Sequence, residues 1–187
     1  RQGFELVGVD VRRLAHLVEE VRQAGFLPGG TGPGLHQVKA CTGYLHCQNA
    51  AIDSPGLAGV VGDALLRIFP HRLPAGLRFS VAGCPNDCGG ARGADLGLVG
   101  SFSGIPRVRL YAGGRAGRQP RLGRYLDFLP ARPPEYKEVV ARVVGLVERW
   151  REEAGPGERL GDWLVRTETL SGPAPSGCRT GPERRET

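Results

Sequence analysis

The sequence lacks any apolar run of the roughly 18 to 20 residues that a membrane-spanning helix requires. No signal or transit peptide is recognisable in it. The excess of basic residues comes without a polybasic run or an RNA-type aromatic motif. We therefore expect a cytoplasmic protein that neither spans a membrane nor binds nucleic acid.

Two common redox signatures are missing as well. The chain has neither the C-x2-C-x2-C spacing of bacterial ferredoxins nor the glycine-rich fingerprint of a dinucleotide or flavin site. If the protein carries out redox chemistry, its electrons must come from a separate protein.

The composition is that of one compact globular domain. The chain has 187 residues, of which 40% are hydrophobic and 24% charged. A chain of this length and composition can bury a stable hydrophobic core without disulfides. The net charge of +6 predicts attraction to an anionic partner: nucleic acid, a polyanionic cofactor or a small oxyanion substrate.

Hydrophobic periodicity divides the chain into alternating helices and strands. Helices are predicted over 10–23, 54–68 and 135–153, with a short closing element over 162–170. Strands are predicted over 4–9, 36–40, 77–82, 95–102 and 107–111. Residues 171–187 are rich in Pro, Gly and charge, so we expect a disordered tail there.

Four of the five cysteines form two close pairs, each after an extended segment. The pairs are Cys41-Thr-Gly-Tyr-Leu-His-Cys47 and Cys84-Pro-Asn-Asp-Cys88, while Cys178 stands apart in the tail. Two disulfides, a structural zinc site and an iron–sulfur cluster remain open as explanations. The cluster suits the spacing better, because a cubane is larger than one ion and tolerates wider, unequal spacings. Glycines around the second pair leave room for backbone N–H groups to reach the sulfurs: Gly83, Gly89, Gly90 and Gly93.

These motifs resemble the cluster-binding half of the siroheme-containing sulfite and nitrite reductases. The resemblance rests on Ala40 to Cys47, on Val81-Ala-Gly-Cys84-Pro-Asn-Asp-Cys88-Gly-Gly-Ala91 and on the glycine-bearing strand Ala94 to Gly100. It covers roughly residues 4 to 165. The combined spacing C-x5-C and C-x3-C is specific, and the G-C-P-N stretch at residues 83–86, followed by a glycine-bearing strand, makes chance agreement unlikely.

The resemblance implies a [4Fe-4S] cluster and a siroheme. Cys41, Cys47, Cys84 and Cys88 would hold the cluster, and Cys88 would also bridge to the siroheme iron. The implied reaction is the six-electron reduction of sulfite to sulfide or of nitrite to ammonia, with electrons from a ferredoxin-like or other donor protein. Siroheme carries many carboxylates, so contacts from Asn86 and from a group of arginines are expected: Arg92, Arg115, Arg118, Arg121 and Arg124.

The expected fold is α+β, with a mixed, largely antiparallel sheet flanked by helices. Residues 1–35 would be a strand–helix segment of a ferredoxin-like (parachute) region, truncated upstream. Residues 36–170 would form the [4Fe-4S]/siroheme domain.

The match to the family is incomplete in two respects. Full-length members have two related halves, and this chain has room for one, so a homo- or hetero-oligomer is a further expectation. An Arg-Asn pair that some members carry before their cysteine motif is absent. His36 and Lys39 are the nearest cationic candidates for binding an oxyanion and delivering protons.

Three other functions compete with the reductase. A precorrin-type enzyme of tetrapyrrole biosynthesis resembles the same family and need not carry siroheme. A non-catalytic [4Fe-4S] electron-transfer module would bind no oxyanion. A zinc-bearing nucleic-acid binder would be colourless, and its binding to DNA or RNA would be sensitive to salt.

Overall fold

The computed structural model describes residues 6–26, 32–70, 73–102 and 104–167 of the chain. A 3-10 turn (Val11–Arg13) leads into α1 (Leu14–Gln23), and a second one (Ala91–Gly93) lies between β2 and β3. The other elements, in chain order, are β1 (Gly34–Ala40), α2 (Ser54–Ile68), β2 (Gly76–Ala82), β3 (Leu96–Ser101), β4 (Arg107–Ala112), β5 (Arg124–Pro130), α3 (Lys137–Glu153) and α4 (Leu160–Arg166). Among these described ranges, no helix has both the length and the apolarity to cross a membrane.

The five strands form one mixed sheet in the order β1-β2-β3-β4-β5. The pairs β1/β2 and β2/β3 are parallel, and β3/β4 and β4/β5 are antiparallel. The predicted α+β architecture, a mixed sheet flanked by helices, is confirmed. The strand pairs are divided equally between parallel and antiparallel, where mostly antiparallel pairs were expected.

One face of the sheet carries the main hydrophobic core. Alternate residues of the strands, including Phe79 and Leu98, pack with Leu65 of α2 and Trp150 of α3, and all four side chains are buried. The period of two along each strand sends the intervening residues to the opposite face. The core therefore fixes which strand residues point away from α2 and α3.

The opposite face, called here the second face, is covered by the segment that joins β2 to β3. Ala91 from that segment packs with Ala82, Val99 and the half-buried Tyr111 in a small separate cluster. Since this segment also contains Cys84 and Cys88, the second pair of cysteines lies on the side of the sheet away from the helices.

The N-terminal segment differs in part from the prediction. The Asp10 carboxylate accepts a hydrogen bond from the Arg12 N–H at 2.9 Å, as a helix cap should. The predicted strand over 4–9 is wrong for residues 6–9, which form no strand, and residues 1–5 lie outside the described ranges. Helix α1 buries no residue against the described part of the chain, and Leu14 is 48% exposed.

A buried carboxylate joins the sheet to α4. Asp95 is 1% exposed and accepts hydrogen bonds from the backbone N–H and Nε of Arg78 and from Arg159. Two guanidinium partners compensate its desolvation. The predicted closing element over 162–170 is observed as α4 as far as residue 166. Residues 168–170 and the predicted tail over 171–187 lie outside the described residues.

Two helical glycines should respond oppositely to substitution by alanine. A Cβ at Gly145 in α3 would meet no atom within 4 Å, so Gly145→Ala is expected to raise the free energy of unfolding by about 1 kcal/mol through helix propensity. At Gly161 in α4, a Cβ would lie 2.8 Å from the carbonyl oxygen of Gly113, so Gly161→Ala should lower stability. Urea unfolding of the two variants measures both effects, and a stabilised Gly161→Ala would contradict the packing of α4.

Candidate metal centre

The two cysteine loops meet where the parallel strands β1 and β2 end. Cys41 directly follows β1, and its backbone N–H donates to the carbonyl oxygen of Val81 at 3.0 Å. Cys84 follows β2 after a single intervening glycine. Parallel strands bring their carboxyl ends to the same edge of a sheet. The four cysteines are free thiols, so they form no disulfide in this structure.

Gly83 connects the two loops. Its N–H donates to Cys41 Sγ at 3.0 Å, and its carbonyl oxygen accepts from the Ala51 N–H at 2.7 Å. A Cβ at this position would lie 3.0 Å from the Ala50 Cβ and 3.3 Å from Cys41 Sγ. A side chain here would press on Ala50 and on the Cys41 sulfur, so glycine favours the close approach that the sequence predicted for the residues around the second pair.

Ser54, the first residue of α2, also lies against Cys41. Its side chain is fully buried, with Oγ 3.0 Å from Cys41 Sγ and 3.2 Å from the Cys41 carbonyl oxygen. The Asp53 carboxylate caps the same helix by accepting from the Gly56 N–H at 3.0 Å. The Cys41 sulfur thus has two polar neighbours, one from the helix and one from the second loop.

The second loop is held by Asp87 and Ser80. Asp87 adopts a positive φ of 53°, which Asp tolerates better than most residues, and its carboxylate accepts from the N–H groups of Ala91 (2.6 Å) and Arg92 (3.1 Å). The buried Ser80 hydroxyl donates to the Gly89 carbonyl oxygen at 2.8 Å. Within this ordered loop Cys84 is buried and Cys88 is exposed.

The donor set fits an iron–sulfur cluster. Four free thiols lie on two loops at one edge of the sheet, and N–H and O–H groups already contact one of the sulfurs. Across the described ranges, no three His, Cys, Asp or Glu side chains are close enough together to hold one metal ion. A cubane would take one thiolate at each of its four corners.

The arginines expected near siroheme occupy two places. Arg92 lies in the β2–β3 segment, with its guanidinium 5.5 Å from the Tyr111 ring centroid. The others lie at the end of β4 that is beside the start of β3, away from Cys84. Arg115, Arg118 and Arg121 belong to the β4–β5 connection, and Arg124 is the first residue of β5. Arg121 is engaged there with the Gly113 carbonyl oxygen at 2.9 Å and with Asp162 at 3.2 Å. Asn86, in the second cysteine loop, is exposed.

The two oxyanion candidates are three positions apart on β1. Lys39 lies near the end of the strand, and its Nζ is 3.4 Å from the place that a Cβ on Gly90 would take. His36 lies near the start, where its ring contacts the Gly32 carbonyl oxygen and lines a pocket with Leu73 and Pro74. The structure brings Lys39 to the loop that carries Cys88 and does not bring His36 there.

The sequence analysis missed two further arginines on the second face. Arg107 and Arg109 place their guanidinium groups 4.5 Å and 5.6 Å from the Phe128 ring centroid. Arg107 Nε is buried and has no hydrogen-bond partner among the described residues. The alternation Arg107-Val-Arg109-Leu-Tyr111 could have predicted that both arginines lie on the same face as Tyr111, because every second residue of a strand shares a face.

A row of paired residues crosses the second face. The register places Lys39, Ser80, Gly97, Tyr111 and Tyr125 next to one another on successive strands. The two tyrosine rings meet edge to face with centroids 6.0 Å apart. Burial raises the pKa of Tyr125, and the Asp127 carboxylate raises it further, so the phenol stays protonated at neutral pH. The second face therefore combines cations with neutral hydrogen-bond donors.

Comparison with known families agrees with this geometry. Residues 31–169 match the family model described as the nitrite and sulphite reductase 4Fe-4S domain. The matched region contains both cysteine loops and every strand of the sheet.

Two curated relatives illustrate the extent of the similarity. The beta subunit of dissimilatory-type sulfite reductase from Archaeoglobus fulgidus is 35% identical over 108 residues, which cover 54% of this chain and 30% of that protein. The assimilatory-type sulfite reductase of Nitratidesulfovibrio vulgaris is 29% identical over 168 residues, which cover 89% of this chain and 71% of that protein. The chain thus spans under a third of the first relative and most of the second.

A solved structure shares the fold. The crystal structure of dissimilatory sulfite reductase I superposes with a TM-score of 0.71 at 17% identity, and the match covers 94% of this chain and 62% of that one.

Proposed function

Because the chain belongs to the nitrite and sulphite reductase 4Fe-4S domain family, we propose that it is a siroheme- and [4Fe-4S]-dependent oxidoreductase. It would reduce sulfite to sulfide, or nitrite to ammonia, with electrons from a ferredoxin-like or other donor protein. Cys41, Cys47, Cys84 and Cys88 are the proposed cluster ligands.

The hydrogen bond from the Gly83 N–H to Cys41 Sγ carries this proposal. It ties a sulfur of the first cysteine pair to the residue that immediately precedes the second pair, at 3.0 Å. Backbone N–H groups directed at sulfur stabilise the negative charge that a thiolate-bound cluster carries. The loops are therefore arranged before any metal arrives.

Cys88 is the proposed bridge to the siroheme iron. It is exposed, whereas Cys84 in the same loop is buried, so its sulfur is accessible to a second cofactor. The carboxylates of the macrocycle would pair with three cationic side chains on the second face, those of Lys39, Arg92 and Arg109. Bidentate guanidinium–carboxylate pairs suit such a ligand.

When bound, the two cofactors would supply electrons one at a time and an iron position open to an oxyanion. The chain's own part is to hold four thiolates, shield Cys84 from water and keep positive charge near Cys88. Lys39 is the proposed cation for the substrate, because its ammonium lies beside Gly90 in the loop that carries Cys88. His36 stays a prediction from the sequence: it lies three positions before Lys39 on β1, with its ring at the Gly32 carbonyl oxygen.

The proposed domain limits follow the cysteine loops. Residues 36–170 would form the cluster and siroheme domain, and residues 1–35 would belong to a ferredoxin-like region. The chain spans 30% of the Archaeoglobus fulgidus relative, so we propose that a second half, from another chain or a second copy, completes the siroheme pocket. The proposed compartment is the cytoplasm.

Anaerobic purification followed by a visible spectrum and assays of iron, labile sulfide and zinc tests the proposal. We expect siroheme bands together with about four cluster irons and one haem iron per chain. A cluster spectrum without haem bands, in protein purified together with its second half, would favour the biosynthetic or electron-transfer alternatives. Colourless protein containing zinc would contradict the proposal.

A further inference from the structure

Cys41 differs from the other three cysteines in its polar contacts. Its sulfur is within hydrogen-bond distance of the Ser54 hydroxyl (3.0 Å) and of the Gly83 N–H (3.0 Å). Among the described residues, the sulfurs of Cys47, Cys84 and Cys88 have no such partner in the hydrogen-bond network. One corner of the cluster site is therefore electrostatically distinct.

The hydroxyl of Ser54 has one proton and two acceptors within reach. These are Cys41 Sγ at 3.0 Å and the Cys41 carbonyl oxygen at 3.2 Å. In the free thiol, the S–H can donate to Oγ while the hydroxyl donates to the carbonyl oxygen. An iron-bound thiolate has no S–H, so the hydroxyl proton becomes available to the sulfur.

Burial strengthens this contact. Ser54 is fully buried, so water does not compete for its hydroxyl, and a hydrogen bond to an ionised acceptor is about twice as strong as a neutral one. The partial positive charge at the start of α2 is largely taken up by the Asp53 carboxylate, which caps the helix. The Ser54 hydroxyl and the Gly83 N–H, rather than the helix terminus, are therefore the groups that respond to charge on the Cys41 sulfur.

We propose that Ser54 is a positioning residue that raises the reduction potential of the cluster through an O–H···S hydrogen bond to Cys41. The inference rests on the proposed function, because it requires the cluster. The step concerned is the uptake of one electron from a one-electron donor, in which no bond forms or breaks and no proton moves. Added negative charge on the thiolate strengthens the hydrogen bond, so the reduced state is stabilised more than the oxidised state.

Ser54→Ala tests the inference, with Ser80→Ala as the matched control. Both serines are buried, and both donate to a backbone carbonyl oxygen in the cysteine loops. Only Ser54 contacts a cysteine sulfur. Both variants lose a buried hydroxyl, but only Ser54→Ala loses a donor to the cluster ligand.

The measurement is a potentiometric titration of the anaerobically purified full chain with dithionite and mediators, followed by electron paramagnetic resonance. Loss of one charge-assisted hydrogen bond should lower the equilibrium constant for reduction about tenfold, which for one electron is about 59 mV. We expect this shift in Ser54→Ala, a potential near wild type in Ser54→Thr, and a clearly smaller shift in Ser80→Ala, which loses a loop contact but no donor to a cysteine sulfur.

Equal potentials in wild type and Ser54→Ala, or equal shifts in Ser54→Ala and Ser80→Ala, would overturn the inference and leave the proposed function standing. Wild-type protein that binds no cluster would overturn both. If Ser54→Ala does not retain iron, the reduction potentials of Ser54→Thr and Ser54→Val are compared instead. Thr and Val are nearly isosteric and differ chiefly in the hydroxyl, so equal potentials in these two variants would overturn the inference.

Discussion

Cys84→Ser is expected to remove almost all cluster iron and labile sulfide from the protein. Cys84 is 7% exposed and directly follows Gly83 at the end of β2. A serine hydroxyl keeps its proton at neutral pH, so one corner of the cluster would lose its thiolate ligand. We expect iron content to fall by more than about tenfold, since even outer-shell changes cost 10- to 100-fold in metal affinity. Anaerobic iron and sulfide assays measure the loss.

Cys178→Ser is the matched control for that substitution. Cys178 lies outside both pairs, and its replacement should leave iron and labile sulfide unchanged. If Cys84→Ser retained a full complement of iron while Cys178→Ser lost it, the proposed ligand set would be wrong.

Gly100→Ala is expected to disturb the cysteine site, because Gly100 packs against the Gly83 peptide. Gly100 lies on β3, and a Cβ there would lie 2.7 Å from the carbonyl carbon of Gly83 and 3.0 Å from Ile52 Cγ1. The Gly83 peptide would have to move, which would break its hydrogen bond to Cys41. Overpacking of this kind costs about 3 kcal/mol, and we expect a partial loss of iron together with the loss of stability.

Gly93→Ala is the control in the same region. Gly93 lies in the 3-10 turn after the second cysteine pair, and a Cβ there would meet no atom within 4 Å. Urea unfolding and iron content should both stay near wild type. Similar losses in the two variants would mean that the Gly83 peptide is not the sensitive element.

Periodic segments of the fold were predictable from sequence. Helix α2 has the predicted bounds, because Ser54-Pro55 marks its start and its apolar stripe runs to Ile68. The edge strand β5 (Arg124–Pro130) was missed, because an arginine, an aspartate and a terminal proline obscure its alternation.

The sequence predicted which four thiols form the candidate site but not how they are arranged in space. The spacing of the cysteines identified the four thiols, but their meeting point depends on parallel pairing of β1 with β2 across an intervening helix. The antiparallel direction of β4 likewise carries Arg115 and Arg118 away from Cys84, although the sequence places them after a neighbouring strand. Strand direction is a tertiary property that one sequence does not reveal.

The parallel pairing of β1 and β2 also has a thermodynamic consequence. A cluster bound to both loops would act as a covalent cross-link that closes a loop of roughly 40 residues, and such a link removes about 4 kcal/mol of chain entropy from the unfolded state. That amount is a large share of the stability of an ordinary domain. The lifetime of the folded chain would then depend on oxygen. Oxidative loss of the cluster would break the cross-link that closes the loop containing α2.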